Sequence, residues 1–185
     1  MKKFLTLILA LALIGMREQK NVFRHLATTD PLTGLLNRKG FDEALQAYLS
    51  KHAEAHCVGV LLDIDNFKSI NDVYGHAIGD QALRQLAESM HAHFPTDSIL
   101  GRNGGDEFCL ILKNCTSQSA AERIRAFTEE RRTFWYEGVE HPFTLSVGYA
   151  ELSAADARRT PALLLSKADL ALYEVKLRGK RGCLA

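Results

Sequence analysis

No charge of one sign dominates this chain. Its 23 Lys and Arg stand against 22 Asp and Glu, a formal net charge of +1. No general field therefore draws it to nucleic acid or anionic lipid, and any anion site must be a local cluster of donors. Cysteine is sparse. The four residues Cys57, Cys109, Cys115 and Cys183 form no Cys-x-x-Cys pair, and two lie in or beside apolar runs. That favours reduced, structural thiols in a reducing compartment over a disulfide framework or zinc. Also missing is an apolar run of bilayer length. The one candidate, from Phe4 to Met16 after two lysines, falls short of the ~20 residues that span a membrane. Its Ala10-Leu11-Ala12 triplet lies inside the run, not after it, where a signal peptide is cleaved. Signal peptide, membrane segment and core helix are all readings of this run. Residues 1–16 read best as the tip of a membrane helix ahead of a cytoplasmic domain held at the inner face of the cell membrane.

What is there has the size and balance of one globular domain with a modest extension, 185 residues that are 46% hydrophobic and 24% charged. Residues 17–27 carry charges around Val22, Phe23 and Leu26, the spacing of a connector helix with one narrow apolar face that suits pairing with a second copy. "TTDPLTGLLNRKGF" is an ordered loop interrupted by Pro31 and Gly34, and the folded domain runs from 28 to 182. Helical spacing returns at Phe41, Ala44, Leu45 and Tyr48, and again at Ala82, Leu83, Leu86, Ala87 and Met90. "CVGVLLDIDNF" reads as a central strand. "SILGR" and "EFCLIL" flank Asn103-Gly104-Gly105, a strong hairpin signal. Ser119 and Glu122 have the spacing of a capping box, "FTLSVGYAEL" is a further strand, and a closing helix starts with Thr160 as N-cap and Pro161 in its first turn. The order predicts a mixed α/β fold.

Two adjacent acids, Asp106 and Glu107, sit at the mouth of a buried strand. Asp63 and Asp65 end another, and strand alternation puts both on one face. If the hairpin pairs beside that strand, three or four carboxylates share a small volume, which repulsion disfavours without a cation. Such oxygen ligands suit Mg²⁺ or Mn²⁺. Acids next to a turn are ordinarily just solvated, but the Gly104-Gly105 pair lets a ligand approach the backbone closely. Residues 66–80, "NFKSINDVYGHAIGD", add Lys68 for a phosphate, polar groups for a base edge and two glycines for tight turns. An N-cap role explains Asp80 equally well, and His76 reads equally as a turn or core histidine.

The blocks "DPLTGLLNR", "LLDIDNFKSINDVYGHAIGD", "GRNGGDEF", "LSVGYAEL" and "ADLALYEVKLRGKRG" resemble, in order and over nearly the whole domain, the GGDEF family of diguanylate cyclases. The resemblance implies an α+β, palm-like, nucleotidyl-cyclase-like fold with a five-stranded central sheet surrounded by helices. It implies a homodimer in which two GTP molecules on facing domains condense to cyclic di-GMP and pyrophosphate, with no nucleic-acid partner. By resemblance, Asp63, the carbonyl of Ile64 and Asp106 hold the metal, two Mg²⁺ or Mn²⁺ ions per site, with Glu107 as a further ligand. Asp106 is also the base for the attacking hydroxyl, with Glu107 and Lys68 completing the catalytic set. Phe67, Asn71, His76 and Asp80 form the nucleotide pocket, where Asn71 and Asp80 read the guanine edge, and Gly104 and Gly105 let the substrate approach. Lys176 and Lys180 grip the triphosphate.

Three departures matter. Many members carry an Arg-x-x-Asp product-binding pair shortly before the signature; here "PTDS", Pro95 to Ser98, lacks both, which predicts no product inhibition through that site. Lys180 stands where arginine is more usual, losing a bidentate grip. Asp80, where members that make mixed cyclic GMP-AMP tend to have serine, favours plain cyclic di-GMP. The alternative from another class is a non-catalytic GTP-binding signalling module of the same fold.

Overall fold

The apolar run from Cys57 to Ile64 becomes the middle strand of a sheet because both of its faces are covered. A computed structural model of the chain describes residues 15–20, 22–94, 96–156, 158–179 and 182–185. The elements are α1 (22–28, with 15–20 also helical), β1 (Leu36–Asn37), α2 (Arg38–Lys51), β2 (Cys57–Ile64), α3 (Phe67–Tyr74), α4 (His76–His93), β3 (Ile99–Gly104), β4 (Glu107–Lys113), α5 (Ser117–Glu129), β5 (Arg132–Tyr136), β6 (Val139–Phe143), β7 (Leu145–Leu152), α6 (Pro161–Leu177) and β8 (Gly182–Leu184). The main sheet has the order β1-β3-β4-β2-β7-β8. β2 pairs antiparallel with both β4 and β7, while the edge strands β1 and β8 run parallel to their neighbours.

Alternation along β2 splits the core. Val58, Val60, Leu62 and Ile64 face α3, α4 and α5 through Ile70, Leu83, Leu86, Met90, Ile124 and Phe127. Cys57 joins Phe41, Leu45 and Leu49 of α2 and Leu164 of α6 on the other face. All four cysteines are free thiols, with Cys57 and Cys109 buried, as their apolar settings predict. Burial pushes the Cys57 thiol up to about 11, which leaves it protonated and inert at neutral pH.

The expected mixed α/β class is found, with several differences of detail. The main sheet has six strands where five were expected. β1 spans 2 residues and β8 spans 3, too few to show a period of two. A second sheet, the β5–β6 hairpin, was not predicted at all. Its tip is Glu137-Gly138, with φ of 49° and 79°, the left-handed pair that suits a two-residue hairpin. Pro142 is tolerated because β6 has a free edge. Tyr74, Phe134, Tyr136 and His141 form an aromatic box that ties this hairpin to the end of α3.

Residues 66–80, whose two glycines were expected to make tight turns, instead belong to two helices that meet at Gly75. Gly75 takes the cap position of α4, so Asp80 lies a turn inside the helix and the N-cap explanation for it fails. The box proposed for Ser119 and Glu122 sits three positions too late. Thr116 is the N-cap, and it exchanges hydrogen bonds with Ser119 in the reciprocal arrangement. Thr160 caps α6 as expected, accepting from Leu163, with proline in the first turn. Met16, Val22, Phe23 and Leu26 are exposed, leaving the apolar face of the connector uncovered. Among the described residues no helix is long and apolar enough to cross a membrane. Residues 1–14, which make up most of the proposed membrane tip, lie outside the described residues.

Candidate functional site

β2 ends in Asp63 and Ile64, and its register with β4 sets Glu107 directly opposite Asp63. The β3–β4 turn carries Asp106 beside them. Gly104 and Gly105 hold φ of 128° and 57°, which a side chain would strain, and the pairing shifts register between Arg102 and Gly104. The signature glycines are therefore needed to make the turn that presents the acids.

Asp63 is 8% exposed. Burial pushes its carboxyl above the usual range, a hydrogen bond from Lys176 opposes this, and the charges of Asp106 and Asp65 push it up again. Lys176 Nζ donates to Asp63 Oδ2 at 2.7 Å. Asp65, expected to join the same cluster, is otherwise engaged. Thr144 and Ser146 each donate a hydroxyl to it at 2.6 Å, one per carboxylate oxygen, so it braces β2 against β7. Glu107 is exposed and Asp106 half-buried. Among the described residues no group of three or more His, Cys, Asp or Glu is gathered closely enough to hold a metal.

The expected nucleotide residues cluster on α3 and α4. Phe67 and Asn71 of α3 meet α4 at Gly79, where an added Cβ would lie 2.0 Å from Asn71 Oδ1 and 3.2 Å from the Phe67 ring. Gly79 is thus a seat for the Asn71 carboxamide, not a turn residue. Asp80 follows it, half-buried, with its carboxylate 3.9 Å from Arg84 one turn on. Lys68 is exposed at the start of α3, and His76 is exposed at the start of α4. Lys180 lies outside the described residues. A cleft of about 340 Å³ between α2 and α6 includes Glu107 in its wall, but Phe67, Asn71 and Asp80 do not line it.

Two residues the sequence reading passed over hold the turn in place. Arg102 donates from Nε and an Nη to the Gly105 carbonyl at 3.0 and 2.7 Å. Its other Nη reaches both oxygens of Asp30, at 3.1 and 3.2 Å. Asp30 Oδ1 also accepts from the amide and hydroxyl of Thr33. Burial raises the Asp30 pKa, but the hydrogen bonds from Thr33 and Arg102 outweigh it and hold the carboxyl below its ordinary value. The signature turn is thereby clamped to the loop that follows α1.

The fold and site define a mixed α/β domain that presents paired acids and a lysine at the end of its central strand, near the junction of α3 and α4. The family model described as "Diguanylate cyclase, GGDEF domain" matches residues 27–182. The chain is 40% identical over 167 residues to "Cyclic di-GMP phosphodiesterase PdeR" of Escherichia coli (strain K12), covering 89% of this chain and 25% of that protein. It is 36% identical to "Probable diguanylate cyclase DgcE" of the same organism, covering 88% and 15%. Among solved structures, the coiled coil and GGDEF domain of DgcB from Caulobacter crescentus, in complex with c-di-GMP, superposes with a TM-score of 0.85 at 28% identity, covering 95% and 94% of the two chains. The chain belongs to the GGDEF family of cyclic di-GMP signalling. It spans a quarter or less of the length of those two curated relatives.

Proposed function

We propose that this domain is a metal-dependent diguanylate cyclase that joins two GTP molecules, one on each of two facing copies, into cyclic di-GMP with release of two pyrophosphates. The observation that carries this reading is the register of Asp63 against Glu107, with Asp106 on the adjoining glycine turn and Lys176 at hydrogen-bond distance. Hard oxygen donors at the buried end of a strand fit Mg²⁺ or Mn²⁺. Asp63, the Ile64 carbonyl and Asp106, with Glu107 beside them, would hold two such ions, which would supply positive charge to the reacting phosphate and its oxygens.

The chain's own residues do the rest. Asp106 takes the proton of the attacking 3′-hydroxyl. Lys68, Lys176 and Lys180 place cations around the phosphates, where fixed charge counts most. Phe67 and His76 line the pocket, and Gly104 and Gly105 leave room for the substrate at the turn. Asn71 and Asp80 read the guanine edge, since a carboxylate accepts from N1-H and the 2-amino group together. Dimerisation through the exposed apolar face of α1 brings two half-sites together, and residues 1–16 attach the domain to the inner face of the membrane, with the domain in the cytoplasm.

Incubation with GTP and Mg²⁺ followed by chromatography tests the reading. Cyclic di-GMP is expected, and Asp106→Ala abolishes it. The second reading, a non-catalytic GTP-binding module, is favoured by the 40% identity to a protein named as a phosphodiesterase, of which this stretch is a quarter. GTP binding with no product from wild-type protein would select it.

A further inference from the structure

α3 rests on one stripe of side chains. Phe67, Ile70, Asn71 and Tyr74 recur at the i, i+3, i+4, i+7 spacing that lines a single helix face, while Lys68, Ser69, Asp72 and Val73 between them are exposed. Only Ile70 of its 8 residues is buried in the core. The helix that carries Phe67 and Asn71 is therefore held lightly, and its other supports decide where it lies. One is α4, where Asn71 and Phe67 meet Gly79. The other is at the far end, where Tyr74 enters the β5–β6 hairpin. The Tyr74 ring lies 5.1 Å from that of Phe134, 5.2 Å from Tyr136 and 4.8 Å from His141, centroid to centroid. Its hydroxyl is hydrogen-bonded to His141 Nδ1 at 3.3 Å, and His141 stacks on Phe134 with 15° between the planes. Among the described residues the hairpin pairs with no other strand; Phe134 and Phe143 root it in the core. Three of its rings thus grip the last residue of α3, one turn beyond Asn71.

We infer that Tyr74 is a positioning residue for the nucleotide site: through it the β5–β6 hairpin sets the lie of α3, and with it the place of the Asn71 carboxamide against the base. This inference rests on the reading of Asn71 as a guanine contact above. Edge-on aromatic pairs hold a ring in a preferred orientation, and the Gly75 amide donates to the Asn71 carbonyl at 2.9 Å, so the end of the helix and Asn71 move as one. A hydrogen bond to a base edge weakens steeply with misalignment, which makes recognition sensitive to a small tilt. His141 stands on β6, apart from the helices that carry the base-reading residues, so a change there reaches the base only by way of Tyr74. Lys176 stands on α6, outside this linkage, and the loss therefore falls on base recognition more than on the grip on phosphate.

The test compares the affinities of fluorescent GTP and ATP analogues, with Mg²⁺ present, for wild type, Tyr74→Ala, Tyr74→Phe, His141→Ala, Asn71→Ala and Ile124→Val. Thermal melts establish that each is folded, and His141→Ala carries the test if Tyr74→Ala does not fold. One base-edge hydrogen bond is worth about fivefold in affinity. Tyr74→Ala and His141→Ala are each expected to shrink the preference for the GTP analogue about fivefold, toward that of Asn71→Ala, while Tyr74→Phe keeps its ring in the box and retains most of the preference. Ile124→Val, in the core under α5 and 1% exposed, lowers the melting temperature and leaves the preference unchanged. A preference lost in Asn71→Ala but intact in Tyr74→Ala and His141→Ala would overturn the link while leaving the guanine reading standing. An equal loss in Ile124→Val would reduce the effect to general loosening and overturn the link as well. No preference in wild type, or none lost in Asn71→Ala, would overturn both.

Discussion

Replacing Arg102 with alanine removes four hydrogen bonds at once, two to the Gly105 carbonyl and two to Asp30. The ion pair is shielded, with side-chain exposures of 11% and 17%. Breaking a fully buried pair costs ~3–5 kcal/mol because one charge is stranded. Here Thr33 still donates twice to Asp30, so the loss scales down to about 2–3 kcal/mol. At an m-value of ~2 kcal/mol/M this lowers the urea midpoint by about 1 M. Arg102→Lys keeps the charge but not the fork that reaches two acceptors, and falls between. The pH dependence gives a sharper signature. The folded-state pKa of Asp30 is depressed, so its stabilisation is full above the unfolded value of ~3.9 and is lost as pH falls through the folded value. The stability gap between wild type and Asp30→Asn should therefore close as pH drops below about 4. A midpoint unchanged by Arg102→Ala, or a gap that persists into acid, would refute the clamp.

Gly79→Ala gains ~1 kcal/mol of helix preference but sets a Cβ 2.0 Å from Asn71 Oδ1 and 3.2 Å from the Phe67 ring, so it should change the melting temperature little. It should nevertheless weaken binding of a fluorescent GTP analogue roughly tenfold by displacing Asn71 and its hydrogen bonds; unchanged affinity would show that Gly79 does not seat Asn71. Phe134→Ala, at a position 2% exposed, should cost ~3–5 kcal/mol in denaturant unfolding, and a loss below about 1 kcal/mol would deny that the aromatic box anchors the hairpin. Thr116→Ala should cost about 1 kcal/mol while Glu122→Ala stays near zero; the reverse order would restore the cap to Ser119 and Glu122.

The long elements and the order of the site motifs were legible because they rest on local patterns. Phe41, Leu45 and Tyr48 repeat at helical spacing and are buried, and Thr160-Pro161 opens α6. What was hidden depends on distant partners. β1 exists only because β3 offers it an edge, and Asp65 is a brace only because β7 brings Ser146 beneath it. Arg102 and Asp30 stand 72 positions apart, and no periodicity connects them. The β5–β6 hairpin was legible in principle, since "TFWY" before Glu137-Gly138 combines β-favouring side chains with a turn signal. Residues 66–80 misled because glycine serves two purposes: Gly75 breaks a helix, while Gly79 lets two helices touch at Asn71.

The most direct test of the central claim is the rate of product formation from GTP and Mg²⁺ over a range of protein concentrations, with nucleotides resolved by chromatography. A site completed between two facing domains predicts cyclic di-GMP whose rate rises more steeply than linearly with protein. A strictly linear rise would contradict the shared site, and no product at high protein with GTP still bound would contradict the cyclase itself.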